Sequence, residues 1–173
     1  MTLMASSRRE VGARSFPLLV YILVPLLALG LQSLITLHFP SFDVIDLPLL
    51  ITIYYGISRR EPVTATLVGA LIGVAQDGLT HQPLGVFGIC KAVVGYMAAS
   101  LGVRVDTENH GTRLLLTFGF TLVQMGVLYL LKKHMLAQPY AWHWLHEVIR
   151  GLANALVGVI LFAVLDLTQR REA

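Results

Sequence analysis

Six apolar runs separated by short polar breaks organise this chain. Ser15 to Leu37 is 23 residues without a charge and follows Arg8, Arg9 and Arg14. Leu47 to Ser58 is a second, shorter run, expected to start near Asp43 with Asp46 close to the membrane interface. Pro62 to Gln76 is a third, also short and rich in Gly. Leu84 to Val103 is a fourth and contains Lys91. Leu114 to Leu131 is a fifth, 18 residues free of charge. Val148 to Leu167 is a sixth, with Arg150 near its start and Asp166 near its end. A helix needs roughly 20 apolar residues to cross a hydrocarbon core of about 30 Å. Open strands cannot cross, because lipid offers no partner for their backbone groups. The pattern therefore predicts an all-α integral membrane protein, with six transmembrane helices in one compact bundle over residues 16–167. Tails 1–15 and 168–173 flank it. The first run exceeds the roughly 7–15-residue core of a cleaved signal peptide, so it is read as a retained helix. If the second and third runs formed one re-entrant hairpin, four crossings would remain. Arg59 and Arg60 would then sit at an uncomfortable depth.

Composition closes off the other classes. Hydrophobic residues are 55% of the 173 and charged residues 13%, and the mean hydropathy is +0.70. Soluble domains carry about a quarter charged residues, and disordered chains also depend on charge. The 15 Gly show no triplet period, and the single Cys excludes a disulfide framework. Six spans use about 120 residues, which leaves no loop able to fold as a separate domain. Cys90 lies inside the fourth run and reads as a small packing residue.

Lys and Arg favour the cytoplasmic side of short loops. With six crossings, one side holds Arg8, Arg9, Arg14, Arg59, Arg60, Arg104, Arg113, Arg170 and Arg171. The other holds Lys132, Lys133 and Arg150. Nine against three predicts that both termini are cytoplasmic. The same scatter argues against nucleic-acid binding, which needs a dense basic patch. Attraction to anionic lipid heads is the simpler outcome. Trp142, Trp144, Tyr129 and Tyr140 suit a membrane–water interface, and segment 134–147 is expected to lie along it.

Ala65, Gly69, Gly73 and Asp77 are four apart and share one helix stripe. Small residues so spaced let another backbone approach closely. The stripe reads either as internal helix packing or as a docking face for another protein. Gly88, Gly95 and Gly102 form a comparable stripe beside Lys91 and Ala99. The short turn Gly78 to Pro83 should make the third and fourth helices an antiparallel pair. Charges inside membranes are costly and often functional. Lys91 is expected to reach back across this hairpin to Asp77, with solitary snorkelling to the interface as the alternative. Glu147, Arg150 and Asn154 form a polar stripe entering the sixth helix. It reads as an interfacial Glu147–Arg150 ion pair or as the lining of an outward-facing pocket.

The search for chemistry finds no site. His143, His146 and Glu147 follow the order HxxHE, matching neither HExxH nor HxxEH, and too few ligands converge for a metal. No GxSxG occurs. Asp46 and Asp77 bring an aspartyl dyad to mind, but both are expected at helix ends rather than in contact. No cofactor is expected.

The stretch Asp46 to Val103 resembles the rod shape-determining protein MreD family. The resemblance rests on Asp46-Leu47 entering the second span, spaced Gly in the third, Gln76-Asp77-Gly78-Leu79, Leu84-Gly85 after the turn, and Val94-Gly95-Tyr96. It covers about 58 of the 173 residues; the other spans agree in hydropathy and placement only. The resemblance implies a non-catalytic bacterial inner-membrane scaffold of the elongation (Rod) complex. Its partners would be an MreC-like periplasmic scaffold protein and, with it, MreB, RodA and a penicillin-binding transpeptidase, steering lateral peptidoglycan synthesis and cell shape. It also implies a six-helix fold similar to the substrate-binding subunits of energy-coupling-factor transporters. A vitamin-like substrate-binding subunit of a transporter is therefore the second reading. On the first, the expected docking face is Ala65, Gly69 and Gly73 with Asp77 at its outer end.

Overall fold

A computed structural model describes residues 18–38, 44–107, 109–138 and 142–167. Arg8, Arg9, Arg14, Asp43, Tyr140, Arg170 and Arg171 lie outside the described residues, as do both tails. Six α-helices are described: α1 (Leu18–His38), α2 (Leu47–Arg59), α3 (Pro62–Thr80), α4 (Val86–Gly102), α5 (His110–Leu130) and α6 (Trp144–Asp166). A π-helical turn, Leu131–Met135, prolongs α5. No strand occurs among the described residues. Among the described residues, four segments are long and apolar enough to cross a membrane: Tyr21–His38, Pro62–Thr80, His110–Met135 and Trp144–Asp166. Val86–Gly102 is a shorter apolar helix.

Local signals set the helix ends. Pro48 and Pro62 occupy the first turns of α2 and α3, where a missing N–H costs nothing. Asp46 caps α2 by accepting from Leu49 N at 2.9 Å, and Asn109 caps α5 by accepting from Gly111 N at 2.8 Å. Arg60 and His81 end α2 and α3 in the left-handed region, where each backbone N–H closes back onto the helix.

Contacts between helices give their directions. Tyr21 stacks on Tyr55 while Gln32 meets Leu47, so α1 and α2 are antiparallel. Asp46 meets Asn154 and Tyr54 meets Phe162, so α2 and α6 are parallel. Arg113 meets Asp166, Thr117 meets Gly158, and Phe118 and Leu122 meet Gly151, so α5 and α6 are antiparallel. Successive helices therefore alternate in direction.

The centre of the bundle is α2. Every residue from Pro48 to Ile57 is buried, and the main apolar core forms around Leu49, Leu50, Ile53, Tyr54 and Tyr55. Such a helix meets no lipid, so its apolar residues run all round rather than along one stripe. The lipid-facing surface belongs to the long helices. Leu26, Leu67, Leu71, Leu156 and Ile160 are all more than half exposed, as expected where lipid replaces water.

The structure corrects the expected position of Asp46. The residue is buried rather than interfacial. Its level is that of Gln32 in α1, six residues before His38, or about 9 Å below the end of that helix. Helix α2 is short because it begins inside the bundle, where other helices rather than water satisfy its first turn.

Candidate functional site: a buried polar knot

The start of α2 gathers polar side chains from four other helices. Asp46 Oδ2 accepts from Lys91 Nζ of α4 at 2.9 Å and from Gln124 Nε2 of α5 at 2.7 Å. Lys91 Nζ also donates to Gln124 Oε1 at 3.3 Å and lies 4.8 Å from the centre of the Phe87 ring. Asn154 of α6 accepts from Asp46 N at 2.9 Å and donates to Val44 O at 2.8 Å. Gln32 of α1 donates to Ile45 O at 2.9 Å and accepts from Leu47 N at 3.1 Å. Lys91, Gln124 and Asn154 are completely buried. At the head of the central helix the Asp46 carboxylate thus ties α2 to α4 and α5, and the backbone of Val44 to Leu47 ties it to α1 and α6. A buried ion pair tolerates its desolvation only when further hydrogen bonds satisfy both ions, and here each ion has such bonds.

The expected Asp77–Lys91 pair does not form. Lys91 turns instead to Asp46, and Asp77 serves the start of α4. Its Oδ2 accepts from Gly85 N at 2.8 Å and Gly88 N at 3.4 Å, and its Oδ1 from Phe87 N at 3.0 Å. A carboxylate across the first N–H groups of a helix satisfies orphan donors and meets the positive end of the helix dipole. Gly85 enters α4 at φ +97°, in the left-handed region that favours glycine. Asp77→Ala is expected to destabilise the fold by about 2 kcal/mol, and Asp77→Asn, which keeps an acceptor, by less. Reversible unfolding in mixed micelles measures both. Equal stability of Asp77→Ala and the parent would rule the cap out.

The stripe Ala65, Gly69, Gly73 is also reassigned. A Cβ on Gly69 would meet the carbonyl of Lys91, and one on Gly73 the carbonyl of Phe87. A Cβ on Gly95 would meet the carbonyl of Ala65. These contacts make α3 and α4 an antiparallel pair with touching backbones. The face is spent inside the molecule and is closed to a partner, which corrects the docking assignment. Gly102 packs on Ile57 of α2, and Gly56 of α2 packs on Ala98 and Ala99 of α4. Cys90 is fully buried beside Val86, Met125 and Leu128.

The stripe Glu147, Arg150, Asn154 divides. Asn154 belongs to the knot. Arg150 lines an open cavity of about 350 Å³ between α1, α3, the end of α5 and the start of α6. Glu147 is buried, and its Oε2 has no hydrogen-bond partner among the described residues. The reading of a simple interfacial pair is therefore too plain: only Arg150 keeps the pocket-lining role.

A second polar clamp closes the opposite end. Arg113 is buried, and its Nη1 donates to Asp166 Oδ2 at 2.6 Å while its Nε donates to Thr107 O at 2.5 Å. Tyr54 OH donates to the other carboxylate oxygen at 2.9 Å. Run length alone places Arg113 among the loop cations, whereas it lies in the first turn of α5.

Sequence reasoning missed Gln124 and Gln32. A signal for Gln124 was present: Thr117, Thr121 and Gln124 lie on one face of an otherwise apolar helix, and all three are buried. Thr117 and Thr121 donate to carbonyls one turn back, so Gln124 alone of the three reaches another helix in this way.

Fold and knot together define a multi-pass helical membrane protein with buried ion pairs, Lys91–Asp46 and Arg113–Asp166, among its helices. Comparison with family models, with characterised proteins and with solved structures finds no match for this chain.

Proposed function

We propose that this chain is a non-catalytic membrane scaffold of the bacterial elongation machinery, with six crossings and both termini in the cytoplasm of the inner membrane. One observation carries the reading. The residues on which the MreD resemblance rests have interior structural roles. Asp46 anchors the knot, Gly69, Gly73 and Gly95 permit the α3–α4 contact, and Asp77 caps α4. A signature of this kind maintains a shape rather than a reaction centre, and a rigid shape is what a scaffold contributes. The α2 and α4 helices make up their short lengths by lying within the bundle rather than facing lipid along their whole course.

On this proposal the bundle binds an MreC-like single-span protein and through it supports MreB, RodA and a penicillin-binding transpeptidase. The partner meets a surface other than the α3–α4 seam. Co-expression with a tagged MreC-like protein tests the proposal: the two are expected to purify together, and depletion of this chain is expected to round the cells. A chain that purifies alone, with rods maintained after depletion, would reject it. The second reading, a vitamin-binding transporter subunit, draws support from the cavity at Arg150. It requires a water-soluble nutrient to remain with the purified chain, visible by mass spectrometry.

A further inference from the structure

The polar knot stands close behind the cavity at Arg150, and one side chain belongs to both. Phe87 and Lys91 are four apart on α4 and share a face. Side chains on a helix lean toward its start, so the Lys91 stem runs up to Phe87, and Nζ lies 4.8 Å from the centre of the ring. Phe87 also lines the cavity of about 350 Å³. Lys91, Asp46 and Gln124 do not line it. Lys91 and Gln124 are completely buried.

The cavity is of the kind that takes water. It is roomy, and Ser33, Thr36, Thr80 and Gln82 bring hydroxyl and amide groups to its wall. Gln32 also lines it and reaches the knot, but bonds to the backbone of Ile45 and Leu47 rather than to the ions. An amide does not repel water, whereas an aromatic ring against the ammonium does. Water at the Lys91–Asp46 pair would weaken it, because the attraction between two charges falls as the local dielectric rises.

The backbone beneath the ring is fixed on both of its polar groups. Phe87 N donates to Asp77 Oδ1 at 3.0 Å. The Phe87 carbonyl lies against Gly73 of α3, where a Cβ would collide with it. Both contacts belong to the tight α3–α4 seam, so the ring cannot withdraw with its backbone. The freedom left to it is rotation about its own side-chain bonds.

We propose that Phe87 is a stopper, which holds the water of the cavity away from the Lys91–Asp46 pair. The knot keeps its strength because this ring stays in place. The inference does not depend on the scaffold reading, since neither a partner nor a substrate enters it.

The chain has three lysines, Lys91, Lys132 and Lys133, so isotopic labelling of lysine nitrogen lets nuclear magnetic resonance follow each ammonium group of the full chain in micelles. Ammonium protons open to water exchange rapidly, and sealed ones exchange slowly. One slowly exchanging signal is expected, and it should be missing from Lys91→Met. Phe87→Ala is expected to speed its exchange at least about tenfold. Phe162→Ala is the control: Phe162 is completely buried against Tyr54 and does not line the cavity, so it should cost stability and leave the exchange as it was. An unchanged rate in Phe87→Ala would overturn the proposal. Equal acceleration by Phe162→Ala would also overturn it, because loss of stability rather than loss of the ring would then admit water. So would a Lys91 signal in the unaltered chain that exchanges as fast as that of the exposed Lys133. Phe87→Leu, expected to give an intermediate rate, takes the place of Phe87→Ala should that variant fail to fold.

Discussion

Lys91→Met is expected to destabilise the protein by about 3–5 kcal/mol, the cost of removing one partner from a buried ion pair. Methionine keeps most of the lysine stem, so the loss measures charge and hydrogen bonding rather than a cavity. Without Nζ, Gln124 and the Leu49 amide are what hold the Asp46 carboxylate among the described residues. Gln124 Oε1 also loses the Lys91 donor. The effect should exceed that of any surface lysine. Lys133→Met is the control: Lys133 is exposed and, among the described residues, donates to the Tyr129 hydroxyl, so a change of no more than about 0.5 kcal/mol is expected there. Equilibrium unfolding in mixed micelles reads both variants. A Lys91→Met protein as stable as Lys133→Met would show that the pair contributes nothing to the closed bundle.

Gly69→Ala and Gly73→Ala are each expected to cost about 3 kcal/mol, the upper end of the usual range for an overpacked site. The obstacle is the α4 backbone in both cases. A side chain in the way could rotate aside, but a carbonyl of a packed helix moves only if the whole helix moves. The α3–α4 seam would widen along its length, and the Asp77 cap and Lys91 would shift with it. Gly119→Ala and Gly126→Ala provide the contrast. A Cβ at either position meets nothing within 4 Å, and replacing Gly by Ala inside a helix gains up to about 1 kcal/mol. Thermal unfolding of the four variants should separate them into two groups. A Gly73→Ala protein that melts with the Gly126→Ala protein would contradict the close seam.

The helices were legible in the sequence because hydrophobic run length is a local property. Leu47 to Ser58 was read almost to its final residue, and Pro62 was placed at the start of its helix. The short length of α2 was also visible, but its cause was not. Periodicity says where a helix starts along the chain and nothing about its depth, so it places Asp46 at the interface, whereas the residue is buried among α1, α4, α5 and α6. The partner of Lys91 failed for a related reason. Hairpin geometry brings Asp77 near in sequence, whereas Asp46 is 45 residues away and arrives only through packing of α2 against α4. The close hairpin itself was correctly read from the glycines. That glycine seam, once filled by α4, had no face left for another protein. Gln32, Gln124 and Asn154 carry no charge, and an amide in an apolar run attracts little notice from hydropathy. Yet a membrane interior leaves such groups few partners except one another, and they converge on the segment from Val44 to Leu47.

In physical terms, α2 is a core helix whose polar head is received by its neighbours. The α3–α4 seam aligns Lys91 for that role, and the Arg113–Asp166 clamp secures the other end.

The most direct measurement is a pair of double-mutant cycles on unfolding free energy, one joining Lys91→Met to Asp46→Asn and the other joining Lys91→Met to Asp77→Asn. Groups in contact couple, and groups with separate partners add. A coupling of at least about 1 kcal/mol is predicted for Lys91 with Asp46, and additivity within about 0.5 kcal/mol for Lys91 with Asp77. Additivity in the first cycle, or strong coupling in the second, would contradict the account.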